Sequence, residues 1–381
     1  MFGNLSETLK KQAGEYLQNQ AQGLFGGQQN QSQGSQQPQN DGQGHSIAPA
    51  GTSFVQNPNQ NGGSYVGEAN GEQFSISDCR GNKRALFIGI NYPNTSAQLK
   101  GCINDVNNIM NFIMNNYGFS SQNCLVLTDD QQDPSKIPTR NNILLGMKWL
   151  VEGAQSGDSL FFHYSGHGGS VQDTDGDEVD GKDETIYPAD HEQAGVIHDD
   201  EMHALMVKNL PSGCRLTSIF DSCHSGTVLD LPFTYKCSGE IEVICEDSRK
   251  EAAMSLFKAG LSYSRGDTAG ALNLAKEGLG FLFRPPSNKE AQKKTEETRK
   301  SNADVIQFAG CRDDQTSADA NINNQPTGAM SYALVTVLSQ NRNITYSQLL
   351  QSLRDILKSK YSQIPQMSAG RPMDMNTMFT M

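Results

Sequence analysis

Residues 216–226 read LTSIFDSCHSG. Leu216, Thr217, Ile219 and Phe220 form an apolar, β-branched run with the length and composition of a buried strand. The run stops at Asp221, and Cys223 follows at the mouth of a Ser/Gly turn. A thiol just past the carboxyl end of a strand is poorly placed for packing and well placed for a nucleophile. Open α/β sheets put their sites in the loops at that end. The competing reading is a small buried hydrophobe, the usual fate of a cysteine. On this stretch alone the two readings stand level.

A second strand ending tips the balance. Residues 159–169 read SLFFHYSGHGG. Leu160, Phe161, Phe162 and Tyr164 predict a strand. Ser165, Gly166, His167, Gly168 and Gly169 predict a tight turn around one histidine. A catalytic cysteine takes its base from elsewhere in the fold rather than from adjacent sequence. His224 adjoins Cys223, but neighbouring side chains on an extended turn point apart. His163 lies inside the strand and reads as a core histidine. His167 remains, about 50 residues before Cys223, the interval found in caspases. Cys223 is then the nucleophile and His167 the general base, later the acid to the leaving amine. Backbone N–H groups of Gly168 and Cys223 would form the oxyanion hole. No third residue is clearly implied to orient His167.

YSGHGG followed by DSCHSG resembles the catalytic pair of the metacaspases, caspase-fold cysteine peptidases of fungi, plants and protists. The QAC-x-G signature of caspases proper is absent. The resemblance runs from about Arg84 to the C-terminus, interrupted between about Leu231 and Ala303. Asp105 follows the first predicted strand as His167 and Cys223 follow theirs, so these groups should converge at one sheet edge. Residues 101–105, GCIND, resemble the GC-x-x-D motif of the family. The resemblance implies that Cys102, Asp105, Ser165 and Asp221 line the primary specificity pocket. Two carboxylates in one pocket repel unless a cation sits between them. Arginine or lysine before the scissile bond supplies it, arginine with bidentate geometry. The alternative for Asp105 is a helix cap.

Residues 173–201 are strongly acidic, with one lysine, Lys182. Many carboxylates without basic partners point to a hard cation with oxygen ligands. An EF-hand frame on Asp173, Asp175, Asp177 and Glu184 fails, because Glu178 stands where a glycine is required and no helix enters the loop. The resemblance instead implies calcium ligation by Asp183, Asp199, Asp200 and Asp230. These are an aspartate of the DE-x-x-x-P segment, a DD pair and an aspartate after the catalytic cysteine.

The whole chain, 381 residues with a net charge of −12, bounds these readings. Acidity of that size argues against a nucleic-acid or anionic-membrane partner. No apolar run approaches a transmembrane span, and the start, MFGNLSETLKK, lacks the apolar region of a signal peptide. The eight cysteines have no CxxC spacing, which indicates neither a zinc site nor a disulfide framework. A reducing cytoplasm fits, with the nucleus also compatible, and it keeps a catalytic thiol available. A monomer is expected. A mean hydropathy of −0.56 is low for a fully globular chain, so part of it should lack structure.

That part is the N-terminus. Residues 1–79 read as a Q/N-rich low-complexity prodomain, disordered from about 26 to 71. Residues 80–230 form a large-subunit-like region, 231–303 a charged linker, and 304–381 a small-subunit-like region of the same domain. Strands are expected at 84–90, 124–127, 215–220 and 305–309, besides the His167 strand. Helices are expected at 104–119, 139–151, 199–210, 327–339 and 345–358, the last opened by a Thr345/Gln348 capping box. This order predicts an α/β, caspase-like fold: a mainly parallel sheet flanked by helices on both faces. The absence of a zinc-finger prodomain and the position of the linker resemble type I of the family. The activity implied is a calcium-activated, Arg/Lys-specific cysteine endopeptidase that processes itself. The rival is a catalytically inactive caspase-like scaffold. No lysine or arginine lies between Lys11 and Arg80, so self-cleavage is expected at Arg80, Lys83 or Arg84, and in the linker at Arg249, Lys250, Lys258 or Arg265.

Overall fold

The computed structural model describes residues 52–56, 65–69, 72–172, 182–222, 228–235, 241–242, 301–310, 319–322, 325–360 and 365–381. The described chain opens with β1 (Thr52–Gln56), β2 (Tyr65–Ala69) and β3 (Glu72–Ser75), a three-stranded antiparallel sheet. These strands correct the expectation of disorder as far as residue 71. Phe54, Val55, Tyr65, Val66 and Phe74 are strong strand formers diluted among polar residues. Ala69 pairs with Glu72, leaving Asn70-Gly71 between the strands, the dipeptide that most favours a tight hairpin. Residues before 52 lie outside the described part of the chain.

The main sheet is built from β/α units. In chain order they are β4 (Lys83–Gly89), α1 (Cys102–Tyr117), β5 (Cys124–Thr128), α2 (Arg140–Val151) and β6 (Ser159–Ser165). A small antiparallel sheet follows, formed by β7 (Gly168–Gln172), β8 (Lys182–Ile186) and β9 (Ile197–His198), with the single turn α3 (His191–Ala194) between the last two. Then come α4 (Asp199–Met206), β10 (Arg215–Asp221), β11 (Phe233–Tyr235), β12 (Ile241–Glu242) and β13 (Asp304–Ala309). A hairpin of β14 (Asp319–Ile322) and β15 (Gln325–Gly328) leads into α5 (Ala329–Gln340), α6 (Tyr346–Lys360) and β16 (Gln366–Ala369).

The strand order is β12-β11-β16-β13-β10-β6-β4-β5. The five strands from β13 to β5 are parallel, and β16, β11 and β12 extend the sheet antiparallel. The fold is thus caspase-like, as expected, with a mixed edge that the expectation lacked. Apolar residues on both faces of the central strands feed two cores. Ala85, Phe87 and Phe161 pack with Val106 and Ile109 of α1 and with Leu334 and Leu349 of α5 and α6. Leu86, Ile88, Leu160 and Phe162 pack with Ile143 and Met147 of α2 and Met202 of α4. Each of these side chains other than Ala85, fully buried, contributes roughly 1.5–3 kcal/mol. At Gly89 a Cβ would press on the Cys102 carbonyl and Val106, so a glycine there lets the start of α1 approach the end of β4.

Local signals set several boundaries. Thr139 caps α2, its hydroxyl accepting from the Asn142 N–H at 3.3 Å. Thr345 and Gln348 form the reciprocal capping box, at 3.1 and 3.2 Å. Helix α4 ends at Met206, shorter than the stretch to Leu210 suggested.

Buried charge ties the ends of the domain together. Asp304 accepts from the Arg215 guanidinium, including its Nε at 2.8 Å, and faces Arg371 at 3.4 Å. Arg215 also donates to the Tyr346 hydroxyl and to the Thr380 carbonyl. Against the upward push of burial, Arg215 and Arg371 hold the Asp304 carboxyl below the usual aspartate range.

Candidate active site

Gly89, Ser165 and Asp221 lie in register across β4, β6 and β10. The loops that leave these strands therefore start side by side. Cys223, two positions past the end of β10, lies outside the described residues.

His167 occupies the turn between β6 and β7, and Gly168 is the first residue of β7. The Nε2 of His167 lies 2.6 Å from the carbonyl oxygen of Ala97. A carbonyl only accepts, so Nε2 carries the hydrogen, and in the neutral ring Nδ1 is the basic nitrogen. The Tyr92 ring lies against the imidazole, 4.7 Å between centroids. The His167 N–H donates to the Tyr92 hydroxyl at 3.0 Å, and the His167 carbonyl accepts from the Tyr164 hydroxyl at 2.7 Å. The orienting group that the sequence did not reveal is a backbone carbonyl, which has no residue-type signature.

The pocket residues come together from separate elements. Asp105 and Asp221 are only 1% and 4% exposed. Asp105 does not cap α1, whose N-cap is Gly101. Its carboxylate accepts from the Ser165 hydroxyl at 2.8 Å, the Thr327 hydroxyl, and the Gly328 N–H at 2.8 and 2.9 Å to its two oxygens. Asp221 accepts at 2.7 Å from the Ser331 N–H in the first turn of α5, where the helix dipole favours an anion. Burial, with the Asp221 charge adding, pushes the Asp105 carboxyl up to about 8. Cys102 is buried in the first turn of α1. A Cβ on Gly328 would overlap the Asp221 carboxylate and crowd Asp105, so the end of β15 lies directly on both acids. Sequence reasoning missed Thr327, Gly328 and Ser331. A hydroxyl and two main-chain N–H groups from more than a hundred residues downstream give no pattern that points back to Asp105 or Asp221.

His163 is a core histidine, as its place inside β6 suggested. Its Nε2 meets the Ser331 hydroxyl at 2.9 Å, and burial lowers its pKa to about 3, keeping the ring neutral.

Asp199, Asp230 and Glu184 form a buried cluster whose ligand atoms lie within 4.8 Å of one another. Burial, with Asp183 and Asp200 adding, pushes Asp199 up to about 6. Asp230 holds a left-handed backbone, φ 48°, uncommon for a residue with a side chain. Three buried carboxylates form an all-oxygen donor set suited to calcium rather than to a softer metal. Of the four ligands expected, Asp199 and Asp230 meet in this cluster. The Asp183 carboxylate lies 3.1 Å from the His198 Nδ1 and raises the Asp199 pKa by its charge, and Glu184, which was not among the four, joins Asp199 and Asp230 in the cluster. Asp200 follows Asp199 and donates its N–H to the Asp199 carboxylate at 2.8 Å. Residues 173–180, the rest of the acidic loop, lie outside the described part.

Arg80 is exposed. Lys83 and Arg84 instead open β4, paired on both sides by β6 and β5. Lys83 Nζ donates to the Met381 main-chain oxygen at 2.7 Å, and Arg84 donates to the Trp149 carbonyl at 2.8 Å. Arg249, Lys250, Lys258 and Arg265 lie outside the described residues. Among the described residues no helix is long and apolar enough to cross a membrane.

A mainly parallel sheet with a histidine turn at one strand end, and a cysteine just beyond the next, defines a caspase-like cysteine protease. Residues 83–232 match the family model described as the metacaspase, peptidase C14 domain. The chain is 54% identical over 301 residues to Metacaspase-1 of Pyricularia oryzae, covering 79% of this chain and 75% of that one. It is 50% identical over 307 residues to Metacaspase-1 of Schizosaccharomyces pombe, covering 80% and 71%. This chain belongs to the metacaspase family, in its type I form.

Proposed function

We propose that this metacaspase is a calcium-activated endopeptidase that cuts protein chains after arginine or lysine and processes itself. The observation that carries the specificity is the buried pair Asp105 and Asp221 beside the His167 strand ending. Removing two carboxylates from water is costly unless a cation joins them. A substrate guanidinium or ammonium group is such a cation, and an aspartyl side chain in the same place would repel.

In the reaction, Nδ1 of His167 takes the proton of the Cys223 thiol. The thiolate then attacks the scissile carbonyl carbon, and the carbonyl π pair moves to oxygen. The Gly168 and Cys223 N–H groups donate to that oxyanion, and such donors are worth ~10²–10³ in rate. Collapse expels the amine, which takes the proton from His167 and leaves a thioester. Water, deprotonated by His167, attacks the thioester and releases the acid and the thiol. The Ala97 carbonyl favours the tautomer this sequence needs, with Nδ1 basic.

Asp199, Asp230 and Glu184 would hold a calcium ion, with Asp183 and Asp200 adding negative charge nearby. When bound, calcium supplies the positive charge that offsets these carboxylates. Asp230 lies seven positions beyond Cys223, so holding Asp230 restrains the chain that leaves the nucleophile. As described, Thr327 and Gly328 satisfy Asp105 directly, so a substrate cation must displace them, as expected of a zymogen.

Hydrolysis of a peptide library with and without calcium tests this reading. Arginyl and lysyl peptides should be cut only with calcium, and Cys223→Ala should lose all but a trace of activity. Cleavage after aspartate, or equal rates in chelator, would refute it.

A further inference from the structure

We propose that Asp129 and Tyr92 form a bracket that positions the catalytic base, Asp129 acting on His167 through Tyr92 and the loop that follows. The inference rests on His167 being that base. Tyr92 has φ 49°, a left-handed backbone that a bulky side chain rarely adopts. Asp129, the first residue beyond β5, holds it there. One carboxylate oxygen accepts from the Asn91 N–H at 3.1 Å and the other from the Tyr92 N–H at 2.7 Å. The loop then closes on itself. The Thr95 hydroxyl donates to the Tyr92 carbonyl at 2.8 Å, and the Leu99 N–H to the Asn91 carbonyl at 2.8 Å.

This held conformation aims three groups at His167. The Tyr92 ring covers the imidazole. The Tyr92 hydroxyl accepts from the His167 N–H and donates to the Tyr187 carbonyl at 2.6 Å. The Ala97 carbonyl, on the same loop, accepts from Nε2. Backbone strain persists where surrounding contacts over-determine it, and it clusters at sites where geometry matters. If Asp129 lets go, the strained residue relaxes, and the ring and the Ala97 carbonyl leave together. The imidazole then samples the Nδ1–H tautomer, which cannot accept the thiol proton at Nδ1. Asn91, which Asp129 also holds, reaches the pocket at one point, its Oδ1 accepting from the Cys102 N–H at 3.1 Å, whereas the Tyr92 hydroxyl acts on the His167 side, so its loss falls on turnover rather than on substrate binding.

Asp129→Ala and Tyr92→Phe are compared with the wild type and with His167→Ala in calcium-containing buffer. The readouts are kcat and KM on an arginyl peptide, the thermal midpoint, and the ¹⁵N shifts of the His167 imidazole, identified by their loss in His167→Ala. Asp129→Ala should lower kcat about tenfold or more, since small misplacements of a catalytic group act on the chemical step. For Tyr92→Phe, which leaves the Asn91–Cys102 bond in place, KM should stay within about twofold. The His167 shifts of Asp129→Ala should move from the Nε2–H form toward a mixture. Tyr92→Phe, which keeps the ring and loses the hydroxyl, should give an intermediate loss, and it decides the matter if Asp129→Ala does not fold. Unchanged His167 shifts with kcat within about twofold of wild type, or a kcat that falls only with the folded fraction, overturn the bracket. Activity retained by His167→Ala overturns the assignment of the base instead, and the imidazole shifts, which need no turnover, still decide whether Asp129 holds the ring.

Discussion

Replacing Asp105 by asparagine should make the protein more stable and far less active. The carboxyl of Asp105 sits at about 8, against 3.8 for an exposed aspartate. A folded-state pKa raised in this way contributes stability that is fully present below about pH 4. It fades as pH rises and is gone above about pH 8. One unit corresponds to ~1.4 kcal/mol, so between 3.8 and pH 7 the wild type loses at most roughly 4 kcal/mol through this group. Asparagine carries no such loss and keeps the hydrogen bonds except the Gly328 contact to the second oxygen. Its carbonyl accepts from Thr327 and Gly328, and its amide donates to the Ser165 hydroxyl, whose own proton is free to rotate. Chemical denaturation at pH 5, 7 and 8.5 should therefore show Asp105→Asn above the wild type at the two higher values, with the gap closing at pH 5. Truncating one partner of a buried charge pair costs about 2–5 kcal/mol, or ~30- to ~5000-fold in kcat/KM on an arginyl peptide. A variant that keeps kcat/KM within about threefold would refute the pocket. A variant less stable than the wild type at every pH would refute the electrostatic account of Asp105.

Four further outcomes follow from the same geometry. Glu184→Gln and Asp230→Ala should lose calcium-stimulated hydrolysis. They should also lose the ~2.7 kcal/mol of stabilisation that a hundredfold excess of calcium over its Kd provides, read by calorimetry with magnesium as the control. With Asp199 at about 6, protons compete with the ion, so calcium titrations should show weaker binding below about pH 6. Asp304→Ala leaves Arg215 and Arg371 buried beside a missing partner and should cost ~3–5 kcal/mol, seen as a fall of roughly 10 °C in the thermal midpoint. N-terminal sequencing of the calcium-treated protein should find new termini after Arg80 or within 231–303, and none after Lys83 or Arg84, since a cut there requires β4 to leave its place between β6 and β5.

The elements nearest the chemistry were legible because their signals are local. The runs ending at Ser165 and Asp221 are apolar, short and followed by turn residues, and they form β6 and β10 with boundaries close to those expected. Thr139 and the Thr345/Gln348 pair cap helices with their own neighbours, which a single sequence displays directly. The β1–β3 sheet had a readable signal in Asn70-Gly71, hidden by a polar composition that suggested disorder. The antiparallel strands β11, β12 and β16 had none of comparable strength. They are short, and the pairings of β16 with β13 and with β11 join residues far apart in the chain.

The sequence by itself determined the candidate residues: His167 and Asp105 after their strands, Asp221 at the end of its strand with Cys223 just beyond, and an acidic segment rich in oxygen donors. Tertiary structure alone decided what faces them. Asp183 and Glu184 are adjacent on β8, and side chains alternate with a period of two along a strand. The register of Thr185 on His198 decides which of the two turns toward Asp199 and Asp230. Likewise the groups that hold His167 and Asp105 are the Ala97 carbonyl and the Gly328 N–H. Every residue but proline has both groups, so only the path of the folded chain selects the ones that act.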